Sequence, residues 1–363
     1  MRQTPAALAA ALLIATACAP PAAGTGDPDA ASSDDAAAAP RPDHGVLYYG
    51  SYGHDDDALV VGQPWLAGAL IQVYWSELEP SEGSYQWAAL DRRIDVWASA
   101  GKHAAVRVMW STSGAWPDPR AKHPTPAWLL ARGAGIAVHT GTATEVPLFW
   151  DPAYQAAARR FLAALEGHLA TRPGVLFVDV TPGAETNPYR MGTLDDDPAF
   201  RTTFTAALAS DGSRYDDARW GQALDDYLVA VATSPSAIPR VVTLNQGGLP
   251  GAPSRLATIG DRAVGLGMWV GQNGLRGDSY ATEAASARWW GWAAQAPLCF
   301  EMSAATGGEV GTMAEVVAAA RRVRASFLNT YAVDVLRATP GTATYDPAWA
   351  AALAEAAATL GAP

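Results

Sequence analysis

The chain has 363 residues, 49% of them hydrophobic, and a formal net charge of −11. That length holds one large domain or two ordinary ones, and so apolar a chain builds a sizeable core without covalent staples. The acidic balance argues against nucleic acid or an anionic membrane surface as the main partner.

The first element is a leader. "MRQTPAALAAALLIATAC" carries one cation, Arg2, and then an apolar run too short to span a bilayer as a permanent helix. Its end, "ATAC", resembles the lipobox of bacterial lipoproteins, with Cys18 as the lipidated residue and Ala15 where Leu is usual. Lipidation at Cys18 and plain signal-peptide cleavage are the two readings, and either implies export. Residues 19–43 are rich in Ala, Pro, Ser and Asp, a composition that builds no core and reads as a tether. Cys299 is the only other cysteine, so a lipidated Cys18 leaves no internal disulfide.

From residue 44 to the end, apolar bursts alternate with amphipathic segments. "GVLYYGSYG" (45–53), "GALIQVYW" (68–75) and "HAAVRVMW" (103–110) read as three strands, with a helix over "YQWAALDRRIDVWASAGK" between the last two. A helix from about 151 to 170, with Pro152 in its first turn, leads to a fourth strand and its loop, "GVLFVDVTPGAE" (174–185). A polar stretch and a helix near 216–233 precede the fifth, "RVVTLNQGG" (240–248). The sixth is "AVGLGMWV" (263–270), followed by a helix containing "SARWWGWAAQA". "PLCFEM" (297–302) is the seventh, a helix spans about 312–324, "SFLNTYAVDVL" (326–336) is the eighth, and a last helix covers about 347–360. Eight strands alternating with helices predict an α/β fold, a single-domain (β/α)8 TIM barrel over 44–363. An open doubly wound sheet is the competing architecture, and no Gly-rich phosphate loop follows the first strand to favour it.

Chemistry in such barrels sits at the C-terminal ends of the strands. Acids fall there at Glu77 and Glu79 after the second strand, Glu185 after the fourth and Glu301 at the end of the seventh. The fifth and sixth offer Asn245, Gln246, Gln272 and Asn273. A carboxylate ending an apolar strand, as Glu301 does, must be paired, solvated in a cleft or used. Glu185 and Glu301, far apart in the chain, can face one another across the barrel mouth, and cleaving a glycosidic bond takes two such carboxyls. The structural alternatives are an ion pair between Glu301 and a distant arginine, and an idle loop position for Glu185. Arg107, inside the third strand, would hold a nucleophile ionised or pair with Asp179 or Glu77. Trp75, Trp110, Trp150 and Trp269 lie near predicted strand ends, where an indole face suits a sugar ring or simply packs. His54 with Asp55, Asp56 and Asp57 reads as a solvated loop, and no metal or cofactor is expected.

"VYWSELEPSEGSYQWAALDRRIDVWASAGKHAAVRV" resembles the early segment of the retaining clan A glycoside hydrolases, which include families 5 and 42. Trp75, Ser76, Leu78, Glu79, Pro80, Gly83, Tyr85, Trp87, Leu90, Asp91, Gly101 and Lys102 carry the likeness, and "FWDPAYQAAARRFLAAL" is similar to the segment feeding strand four. The resemblance implies an acid/base at Glu185 and a nucleophile at Glu301, with framework roles for Glu79 and Asp91. The clan places Asn directly before the acid/base, to bind the sugar 2-hydroxyl. Here Ala184 stands there, with Asn187 or Asn245 as possible substitutes. The expected function is a retaining glycosidase acting on an extracellular poly- or oligosaccharide, with substrate contacts from Trp75, Arg107, Trp110, Asn187, Asn245 and Trp269. The alternatives are a silent carbohydrate-binding surface lipoprotein, joined to the membrane only through Cys18, and a structural barrel of unrelated function.

Overall fold

Eight near-continuous apolar runs form parallel strands, because a strand covered by helices on one side and a packed interior on the other has no face for water. The computed structural model describes residues 40–50, 56–111, 123–139, 141, 143–189 and 197–362, so the leader with Cys18 and the loop bearing His54 and Asp55 lie outside the described residues. In chain order the strands are β1 (Gly45–Gly50), β2 (Leu66–Tyr74), β3 (His103–Met109), β4 (Ile136–His139), β5 (Thr144–Pro147), β6 (Val175–Asp179), β7 (Arg240–Thr243), β8 (Trp269–Leu275), β9 (Leu298–Met302) and β10 (Phe327–Tyr331). β1, β2, β3, β6, β7, β8, β9 and β10 close into a barrel in that order, with β10 pairing back to β1. β4 and β5 form a separate antiparallel hairpin inserted after β3. The chain is thus a single-domain (β/α)8 barrel.

Several helices start where a side chain satisfies their free N–H groups. Three begin with the same Asp–Pro–Ala run: Asp151, Asp197 and Asp346 each accept from first-turn amides while the following proline occupies the first helical turn. Thr312 and Glu315 make a reciprocal capping box on the helix Met313–Arg322.

Side chains alternate along the strands and so fill the barrel in layers. At the N-terminal end Trp269 stacks on Phe327 at 5.8 Å and leans on Phe177 at 5.8 Å. Above them Leu47, Leu70, Ala105, Val241 and Cys299 form an apolar middle. The layer above is polar and contains Gln72, Arg107, Asp179, Thr243, Glu301 and Asn329, all buried. Gly271 lets β8 approach β9 there, since a Cβ at that position would lie 1.7 Å from the Cys299 carbonyl oxygen.

The β4–β5 hairpin was not expected, β7 stops at Thr243 rather than 248, and two further strand assignments differ from expectation. The run at 263–270 is not a strand from its start: Leu256–Gly265 is a helix that buries Ile259, Ala263 and Val264, Gly267 closes it at φ +80°, and β8 begins at Trp269. A short apolar run does not by itself separate a buried helical turn from a strand. Likewise, β10 ends at Tyr331 and the chain turns directly into a helix, Ala332–Arg337, that buries Val335 and Asp334.

Candidate active site

Register places the polar layer. β3 and β6 set Arg107 opposite Asp179, while Glu301 on β9 has Asn273 on β8 and Asn329 on β10 as its cross-strand neighbours. Arg107 joins these groups. Its Nε donates to Asp179 Oδ2 at 2.9 Å, Nη1 donates to Glu301 Oε2, and Nη2 reaches Asn273 Oδ1 at 3.4 Å. Burial alone would lower the Arg107 pKa, but the charges of Glu301 and Asp179 outweigh it and hold the guanidinium well above its ordinary value. Asp179 is further held by the Thr181 amide and hydroxyl and by the Thr243 hydroxyl at 2.9 Å. Arg107 therefore pairs with Asp179, as the sequence allowed, and also makes with Glu301 the ion pair to a distant arginine that the sequence offered as the structural alternative for that acid.

Glu185 arrives by a different route. Ala184 and Asn187 exchange two backbone hydrogen bonds of 3.0 Å each, closing a two-residue turn whose central residues, Glu185 and Thr186, have φ of +54° and +62°. Two successive left-handed residues are the arrangement of a type I′ turn, usually built from Gly and Asn. Left-handed Glu and Thr cost about 1–3 kcal/mol each, so the surroundings must over-determine them. The Thr186 hydroxyl donates to the Glu185 carbonyl at 2.6 Å and accepts from the Asn245 amide at 2.9 Å, and Asn187 Oδ1 accepts from the Gly247 amide at 3.0 Å. The turn is thereby stapled to the loop after β7. The Glu185 carboxylate accepts from Asn245 Nδ2 at 3.1 Å on one oxygen and from Asn273 Nδ2 at 3.1 Å on the other.

Glu185 and Glu301 line one cavity of about 640 Å3 at the C-terminal mouth of the barrel, together with Tyr49, Arg107, Trp110, Asp179, Asn245, Asn273, Arg276 and Tyr331. Of the residues expected to contact substrate, Arg107, Trp110 and Asn245 border this space. Trp110 does so while 5% exposed, its ring edge-on to Trp75 at 5.3 Å.

The other three do not border it. Trp75 is fully buried, donates to Glu79 Oε2 at 2.8 Å and packs against Trp128, Tyr154 and Phe161. Trp269 lies at the opposite end of the barrel, because its strand begins rather than ends there. Asn187 is 1% exposed and braces the turn. Trp150, also noted near a strand end, is buried beside Phe204 and Tyr215. Glu79 is a buried brace bonded to Trp75 and to the Gly83 amide. Asp57 is engaged by Arg93 and by the Trp97 indole.

Asn273, Asp179, Tyr49 and Tyr331 complete the site without having been singled out as substrate contacts. Asn273 carried the one available signal, an amide at a strand's C-terminal end, but nothing in the sequence tied it to Glu185.

Residues 67–227 match the family model Glyco_hydro_42, described as beta-galactosidase, a segment that includes Arg107, Asp179 and Glu185 and ends before Glu301. No curated protein matches the chain. Among solved structures, the catalytic domain of beta-amylase from Paenibacillus polymyxa is 10% identical with a TM-score of 0.58, over 85% of this chain and 97% of that one. GH5_18 from Streptomyces cattleya, in complex with GlcNAc, is 15% identical with a TM-score of 0.51, over 81% and 71%. The cold-adapted beta-galactosidase from Rahnella sp. R3 is 10% identical with a TM-score of 0.51, over 89% of this chain but only 56% of that one. At these identities the structural likeness is one of fold. The chain is a (β/α)8 barrel, similar in sequence to the glycoside hydrolase family 42 model over residues 67–227 and similar in fold to solved glycoside hydrolase barrels over most of its length.

Proposed function

We propose that the protein is a retaining glycoside hydrolase acting on an extracellular poly- or oligosaccharide. The observation that carries this is the meeting of Glu185 and Glu301 in one cavity, with Arg107 on Glu301. An adjacent guanidinium keeps a carboxylate charged, which suits Glu301 to attack the anomeric carbon and form a glycosyl ester. Glu185, less enclosed and on a loop, then serves as the proton donor to the departing glycosidic oxygen. In the second step it takes a proton from water as that water attacks the ester, which frees Glu301. The family description makes an aryl β-galactoside the first substrate to try, followed by glucosides, mannosides and N-acetylglucosaminides.

The test is Glu301→Gln and Glu301→Ala assayed on that panel, with the anomer of the first-formed product followed by NMR. Loss of turnover by at least a thousandfold, restored in Glu301→Ala by azide with an inverted glycosyl azide as product, is the expected result. Unchanged turnover in both variants removes the proposed nucleophile.

A second reading, a carbohydrate-binding barrel without turnover, is favoured by one feature: Ala184 stands where an amide would bind the sugar 2-hydroxyl. Saturable glycan binding by the unaltered protein, with no reducing ends released, would select it. For the leader we propose export with lipid attached at Cys18. Metabolic labelling with palmitate that persists in Cys18→Ser would overturn that assignment.

A further inference from the structure

Among the described residues two cations border the cavity, Arg107 and Arg276, and they are held in different ways. Arg107 is buried between Asp179 and Glu301. Arg276 follows β8, and its side chain, 45% exposed, pairs at 3.1 Å with Glu309, which follows β9 and is 85% exposed. Exposed ion pairs of this kind contribute little net stability, so an anion arriving on a ligand can take the place of Glu309.

The backbone beneath Arg276 is fixed more firmly than a surface ion pair requires. Residues 276–279 form a turn in which the Ser279 amide donates to the Arg276 carbonyl at 3.0 Å and the Arg276 amide donates to the Ser279 hydroxyl at 2.9 Å. The Gly277 amide donates to the Val310 carbonyl at 2.9 Å, tying the turn to the loop after β9. Arg322, ending the helix Met313–Arg322, forks onto the same turn. Its Nη1 donates to the carbonyls of Gly277 at 3.1 Å and Ser279 at 2.6 Å, and its Nη2 to that of Gly277 at 3.1 Å. Two neighbouring segments thus brace one turn, and of its four residues Arg276 alone lines the cavity.

We infer that Arg276 is a specificity-determining residue that selects saccharides carrying an oxyanion, a uronate carboxylate or a sulfate ester, on the unit bound at the cavity mouth. The inference rests on the function proposed above and adds to it the class of sugar. A guanidinium presents paired N–H donors whose spacing matches two oxygens of one oxyanion. An acidic sugar also requires such a group here. Asp179, Glu185 and Glu301 line the same cavity, and Arg107 is already shared between two of them. Arg276 is therefore the cation left, among the described residues, to offset an incoming negative charge.

The experiment compares aryl glycosides of one sugar in three forms: the neutral parent, the uronide and the sulfate ester at the same carbon, in both the galacto and the gluco series. Kd by calorimetry and kcat/KM are measured for the unaltered protein, Arg276→Gln and Arg276→Lys. At low salt one charged form should be favoured over its neutral parent by about ten- to a hundredfold, and the two charged arms show which oxyanion fits. That ratio should fall to near one in Arg276→Gln and survive in part in Arg276→Lys. It should also weaken as salt is added, because the group is exposed. A ratio near one in the unaltered protein, an equal ratio in Arg276→Gln, or no binding of any charged form overturns the inference. A purely structural role for Arg276 would lower activity on all three forms together and leave the ratio unmoved. Calorimetry needs no turnover. If the charged form is preferred in Kd and no glycoside is cleaved, the proposed hydrolase fails and the selection stands; cleavage with no charge preference gives the reverse.

Discussion

Replacing Arg107 with methionine removes one cation from between two carboxylates. The side chains of Arg107, Asp179 and Glu301 are 10%, 4% and 5% exposed, so the carboxylates left behind are mostly buried in the protein. Breaking a buried pair from one side costs about 3–5 kcal/mol, chiefly because the surviving partner stays buried and uncompensated. Asp179 keeps the Thr181 amide, the Thr181 hydroxyl and the Thr243 hydroxyl, and Glu301 loses its charge-assisted bond from Arg107. Because Glu301 borders the cavity and water can reach it, the lower end applies, about 3 kcal/mol, or a fall in Tm of about 5 °C for a barrel of this size.

The double variant is the sharper measurement. Glu301→Gln in the Arg107→Met background removes the carboxylate charge that Arg107 had neutralised at nearly constant volume, so the pair of substitutions should be more stable than Arg107→Met alone. Chemical denaturation of the four proteins in the cycle measures the coupling, which should be about 1–3 kcal/mol. Additive losses, or a Tm for Arg107→Met within a degree of wild type, would refute the claim that the guanidinium neutralises Glu301.

Trp75→Ala should cost about 3–5 kcal/mol in chemical denaturation, because it empties a fully buried indole site, and should leave KM on any cleaved glycoside unchanged. A raised KM with native stability would return Trp75 to the substrate site. Burial lowers the Lys102 pKa from 10.5 to about 8, while its ammonium donates to the carbonyls of Gln63 and Leu66. Between about pH 8 and 10.5 the unfolded chain then holds more protons at this residue than the folded one, so its contribution to stability rises with pH through that window. The stability difference between wild type and Lys102→Met, followed from pH 7 to 10.5, should move in favour of wild type. A flat difference would contradict the burial argument.

The sequence by itself determined the barrel and the two acids worth watching. Strand and helix follow from local spacing of apolar residues, and a carboxylate that ends an apolar run, as Glu301 does, stands out without any neighbour in view. Local spacing also misled, at 263–270, where a buried helical turn and a strand start share one apolar run and only packing separates them. The tryptophans show the same limit: a chain position near a strand end does not say which face the indole takes, and Trp75 and Trp269 turned into packing. What only the tertiary structure decided is the wiring of the site. Arg107 meets Asp179 and Glu301 because parallel register brings β3 beside β6 and barrel closure carries β9 across the interior. Asn273 reaches Glu185 because a strained turn after β6 is stapled to the loop after β7. Those contacts join residues scores of positions apart, and no periodicity in a single chain encodes such distances.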